Sequence, residues 1–176
     1  MKRAFSLVEL LVVITIILIL LFLSFPGLLR WKERFFVKNF CYELSAKIGN
    51  SRDYARRFGE RVILAVTKDE AKDWTGNSDL DPVVYLIFVD KNKNGAFDTE
   101  DEILFTGSTK RIRVLENEVG YNCFGGQGRC IVFFPVGIPK IGAISKSIVF
   151  SSAYDPTISY AVRFRSITGI SEVVRK

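Results

Sequence analysis

Histidine is missing from all 176 residues, and with it the commonest general base, proton shuttle and nitrogen ligand for metals. Cysteine is scarce: three residues cannot all pair within one chain, and without histidine no Cys-His nucleophile can be built. No Ser-x-x-Lys pair and no nucleophile elbow occurs. Gly125-Gly126-Gln127-Gly128 lacks both the GxGxxG pattern and a following Lys-Ser/Thr, so it is not a phosphate loop. Asp79 and Asp81 form an acid pair, but in a Gly/Asn/Ser-rich stretch that reads as solvated. Internal repeats and low-complexity segments are absent too. Nothing here points to an enzyme, a catalytic residue or a bound cofactor.

Charge is also missing where it is most informative. From Phe5 to Phe25 the only charged residue is Glu9. A run of about 20 apolar residues matches the hydrocarbon thickness of a bilayer. It is longer than the roughly 7–15 apolar residues of a signal peptide, and no small-x-small cleavage site follows, so a retained transmembrane helix is expected. The net charge of +6, from 25 Lys and Arg against 19 Asp and Glu, is mildly basic with both signs mixed. Such a surface tolerates nucleic acid or anionic lipid without demanding either. Lys2 and Arg3 precede the span, while Arg30, Lys32, Arg34 and Lys38 follow it. The positive-inside count therefore does not place the C-terminal part outside the cell.

Pro26-Gly27 at the end of the span removes a hydrogen bond and a side chain, which predicts a soft joint or kink. Beyond it Leu29, Phe36, Phe40, Leu44, Ile48 and Ala55 recur at spacings of four or seven, an amphipathic pattern that extends the helix to about Phe58. Past Gly59 the pattern turns to β. Strands are expected at Arg61–Thr67, Val83–Val89, Glu102–Thr106, Ile112–Leu115, Ile131–Phe134, Ser147–Phe150, Ile158–Phe164 and Ile170–Val174, with Thr168-Gly169 as the last turn. The fold class is α+β: residues 27–58 form the amphipathic half of a long helix, and residues 59–176 form an antiparallel β domain on which it packs.

The N-terminal order of residues is specific. Basic Lys2-Arg3 is followed by small Ala4, then Phe5-Ser6-Leu7-Val8-Glu9-Leu10-Leu11, then the apolar run, then Pro26. This resembles the leader junction of type IV prepilins and pseudopilins. The resemblance implies a leader of residues 1–4, cleavage by a prepilin peptidase between Ala4 and Phe5, and N-methylation of Phe5. In the family the residue before the cut is usually glycine; here it is alanine, which is also small. The assembly helix then runs over residues 5–26, with Glu9 fifth and Pro26 twenty-second in the mature chain. A carboxylate within a membrane helix costs about 2.5–3.5 kcal/mol on insertion scales and generally has a partner or a function. The resemblance makes that partner the free amine of a neighbouring subunit's first residue. It also implies an orientation, with the leader in the cytoplasm and the β domain in the periplasm, and it adds other pilin subunits and an inner-membrane assembly platform as partners.

The remaining chain resembles the GspH/FimT branch of minor pilins and pseudopilins at Leu44–Leu64, Phe88–Gly95, Glu102-Ile103-Leu104, Phe134–Gly137 and Thr168-Gly169-Ile170. That branch serves type II secretion pseudopili and type IV pili, and some FimT-like members are implicated in DNA uptake. Their basic Gly-Arg-x-Arg motif is replaced here by Gly169-Ile170-Ser171-Glu172. Arg163, Arg165, Arg175 and Lys176 still offer positive charge for phosphate contacts, although a solvated strand face is the preferred reading. Asp90, Asn92, Asn94 and Asp98 are spaced like the start of an EF-hand loop, but position twelve is Asp101 and strands flank it. A structural hairpin is preferred to calcium. Cys123 and Cys130 bracket a flexible loop that closes as a disulfide in an oxidising compartment and holds two partly buried thiols in a reducing one. Cys41 is expected in the core.

Overall fold

The computed structural model describes residues 7–67, 83–117, 119–124, 128–136, 139–140, 147–165 and 171–176, without the side chains of residues 23–26 and 139–140. One helix, α1, spans Leu7–Phe58. At 1.5 Å per residue it is about 78 Å long. It runs unbroken through Pro26-Gly27, where the sequence predicts a soft joint. Proline deletes only one backbone donor, and the hydrogen bonds on either side still propagate the helix. Gly59 ends it: at φ +71° its N–H donates to the Ala55 carbonyl at 3.1 Å, a left-handed cap that few residues other than glycine adopt cheaply.

Among the described residues, only the second half of α1 packs on the rest of the chain. Val37, Phe40, Cys41, Leu44, Ile48, Ser51 and Ala55 are buried, a stripe with the spacing of three or four that one helix face requires. Phe36 is partly buried. Leu29, expected in this stripe, is exposed, because α1 has not yet reached the sheets at that level.

Among the described residues ten strands follow: β1 (Val62–Thr67), β2 (Tyr85–Val89), β3 (Glu102–Gly107), β4 (Ile112–Asn117), β5 (Tyr121–Cys123), β6 (Gly128–Phe133), β7 (Pro139–Lys140), β8 (Ser147–Ser152), β9 (Ser159–Phe164) and β10 (Ser171–Arg175). They form two antiparallel sheets. The larger has the order β3-β2-β1-β6-β5, with β7 also pairing β6; the smaller has the order β10-β9-β8-β4. The short strands β5 and β7 were not expected from the sequence. The Ile158 strand begins one residue later than its pattern suggests, at Ser159.

Alternation along the strands sorts the side chains into two layers. Val62, Leu64 and Val66 of β1, Tyr85 and Ile87 of β2, and Phe133 of β6 face α1 and the small sheet, which contributes Ile148, Phe150, Val162 and Phe164. Phe40 of α1 joins the two sheets, with its ring 5.8 Å from Tyr85 and 5.4 Å from Phe150. Ile63, Ala65, Leu86, Phe88 and Val132 point to the opposite face of the large sheet, where Phe97, Tyr121 and Phe134 pack against them. Being buried on both faces explains why β1 and β2 read as continuous apolar runs.

Candidate assembly site on the N-terminal helix

The first half of α1 is apolar on every side. From Leu7 to Phe22 its large apolar side chains are 46–82% exposed, and its most apolar 18-residue window has a mean hydropathy of 3.1 with none of it buried in the chain. A helix with apolar residues all round needs lipid or other helices as its surroundings. Length and composition suffice to cross a membrane. Thr15 adds no unsatisfied hydroxyl, since its Oγ1 donates to the Leu11 carbonyl at 2.8 Å. Glu9 lies in the first turn, the one acidic residue of that half, where the positive end of the helix dipole favours a carboxylate. Ala4 and Phe5, the expected processing pair, lie outside the described residues. Pro26 lies within the helix, near the end of the apolar run.

Where α1 meets the domain, an ionic cluster fixes it. Glu33 pairs with Arg111 of the β3–β4 connection and accepts a hydrogen bond from Ser152 Oγ of β8 at 3.0 Å. The Arg111 guanidinium lies 4.2 Å from the centre of the Phe36 ring. One turn earlier Arg30 Nε stands 3.8 Å from Asp155 Oδ2. Sequence reasoning missed this cluster. Glu33 and Arg111 are 78 positions apart, and no local pattern links them.

The other candidate residues fall elsewhere. Arg163 and Arg165 both pair with Glu172 of β10, at 3.7 and 3.2 Å, and Lys176 pairs with Glu116 of β4. The charge proposed for phosphate is thus largely matched by carboxylates, and Arg175 stands exposed at the end of β10. Asp90 is fully buried and faces Arg61, with Nε at 3.1 Å from its Oδ2. Gly95 N–H also donates to that Oδ2, at 3.0 Å. Asp98 accepts from the side-chain amides of Asn92 and Asn94, and the backbone N–H of Glu100 adds a third bond at 3.0 Å. These bonds hold the Asp98 carboxyl below the ordinary aspartate value, the Glu100 bond most strongly. The loop thus turns on its own donors, helped by positive φ at Lys93 and Gly95. Among the described residues no group of three or more His, Cys, Asp or Glu is placed to hold a metal ion.

Cys123 of β5 and Cys130 of β6 are joined in a disulfide, with Cα atoms 5.9 Å apart. Cys41 is buried, and desolvation pushes its thiol up to about 12.

A long N-terminal helix, half apolar rod and half packed on antiparallel sheets, defines an α+β pilin-like fold. Residues 1–25 match the family model described as the prokaryotic N-terminal methylation motif. That motif implies a processed pilin or pseudopilin subunit, which is a structural protein and not an enzyme; its associates are prepilin peptidase and other pilin subunits. No curated protein and no solved structure matches the chain significantly.

Proposed function

We infer that the chain is a minor pilin or pseudopilin of the GspH/FimT type, serving a type II secretion pseudopilus or a type IV pilus. Prepilin peptidase cuts between Ala4 and Phe5 and methylates Phe5. The subunit then waits in the inner membrane by its apolar half-helix, with the β domain in the periplasm, until the assembly platform passes it into the filament's helical core. The observation that supports this most directly is the continuity of the methylation motif with an apolar, exposed half-helix. Such a rod exchanges lipid for neighbouring rods without uncovering the domain core. Within that apolar packing the Glu9 carboxylate gains most from a cationic partner, and the amine of a neighbour's Phe5 supplies one and sets the axial register.

Glu9→Ala tests the assignment in cells. The variant should insert and lose its leader normally, as read by mass spectrometry of the mature N-terminus, yet be depleted roughly tenfold or more from sheared filaments. Normal incorporation would remove the role of Glu9, and a mature chain still beginning at Met1 would remove the processing claim. The alternative of DNA uptake draws no support from Arg163 and Arg165, both paired with Glu172.

A further inference from the structure

The stretch from Leu7 to Leu29, with Glu9 its one charged residue, is about 34 Å long at 1.5 Å per residue, enough to cross the roughly 30 Å hydrocarbon core. The residues that follow are therefore delivered to the headgroup layer, and they are of a distinct kind. Trp31 and Phe35 stack one turn apart with ring centres at 5.6 Å, and they remain 62% and 53% exposed. Tyr154, on the turn between β8 and β9, is 71% exposed at the same level of the molecule, because its neighbour Asp155 reaches Arg30 and its ring lies 6.0 Å from Arg111. Three exposed aromatic rings from two separate elements thus ring the point where the helix leaves the domain.

Cations interleave with them. Lys32, Arg34, Lys38 and Lys110 are exposed around this end. Its acids are already matched, Glu33 by Arg111 and Asp155 by Arg30. Beside Lys32 and Phe35 a groove of about 480 Å³ opens between α1 and the β3–β4 connection, and its walls include Phe36, Ser108 and Thr109. Aromatic rings favour the boundary between hydrocarbon and water, and lysines and arginines next to a span attract anionic headgroups.

We propose that this end of the domain is a lipid-binding collar: Trp31, Phe35 and Tyr154 seat in the headgroup boundary, while Lys32, Arg34 and Lys38 hold the phosphates of anionic phospholipids. The collar sets the depth and tilt of the subunit while it resides in the bilayer. The proposal rests on the membrane span and not on any role in filaments. It also explains why the positive charge following the span is high: these cations read the leaflet they face.

The test uses the full chain in nanodiscs made from an equimolar mixture of phosphatidylglycerol and phosphatidylcholine. With Trp74→Phe, Trp31 is the one tryptophan left. Its emission should be quenched by lipids brominated near the glycerol end of their acyl chains and be shielded from iodide. Native mass spectrometry of the unaltered chain should retain phosphatidylglycerol several-fold over phosphatidylcholine, falling to parity in the Lys32→Gln, Arg34→Gln, Lys38→Gln variant. An iodide-accessible Trp31, equal retention of the two lipids, or a preference that survives the triple substitution would each overturn the collar. A second reporter, Ile17→Trp with both native tryptophans changed to Phe, separates the premises. Quenching of that residue by deeply brominated lipid with an exposed Trp31 rejects the collar alone; no quenching rejects the span beneath it.

Discussion

Gly120 occupies a position with no room for a side chain. Its φ is +76°, and a Cβ built there would stand 1.8 Å from the carbonyl oxygen of Cys130, on the strand that carries the disulfide. Backbone cannot swing aside as a side-chain tip can. Gly120→Ala should therefore cost about 2–4 kcal/mol, from strain at φ plus displacement of β6, read as a fall in the urea midpoint. Carboxylates set the acid limit. Asp98 and Asp155 are both held below the ordinary 3.8, the first mainly by the Glu100 N–H and the second mainly by the Thr157 hydroxyl. A depressed folded-state pKa contributes stability that is present above 3.8 and lost as pH falls through the lowered value. Asp101 works the other way, since burial raises its pKa and protonation relieves it. With two depressed groups against one raised, the urea midpoint should drop as pH falls below 3.8, and Asp155→Asn should make that drop shallower. An unchanged slope in the variant would show that Asp155 takes no part.

At the level of elements, α1 carries a weakness within its packed half. Gly49 lies mid-helix, and a Cβ there would meet nothing within 4 Å. Alanine should therefore fit without a clash and restrict the unfolded chain, so Gly49→Ala should stabilise the protein by about 0.5–1 kcal/mol, visible as a higher Tm. A lower Tm would mean that the glycine serves a close contact unseen in the isolated chain. The helix also shows what was legible beforehand. Phe40, Leu44, Ile48 and Ala55 announced the buried face by spacing alone. Leu29 obeyed the same spacing and yet stays outside, because apolar periodicity does not say whether the partner is a sheet or a bilayer. Eight strands were readable from β-branched and aromatic runs. Strands β5 and β7 were not, since three and two residues are too short to display alternation and owe their form to pairing with β6. The candidate site divides similarly: Glu9 stands out as one acid in an apolar run, whereas the cluster at Glu33 exists only once distant segments have been brought together.

For the molecule as a whole, the core begins late. Among the described residues the first buried one is Val37, and Arg30 already reaches Asp155 on the β8–β9 turn. A chain starting at Leu29 retains every buried contact described above, so it should fold and remain monomeric in water by sedimentation, while the full chain needs detergent. Aggregation of the shortened form would indicate that the domain depends on the membrane half. Because α1 is one uninterrupted rod, the segment that lipid or filament grips and the segment that nucleates the domain are a single rigid piece. Traction at one end then reaches the sheets as shear along the buried stripe, with no slack tether to absorb it, and the subunit's mechanical strength equals the grip of two sheets on about five turns of helix, Val37 to Ala55.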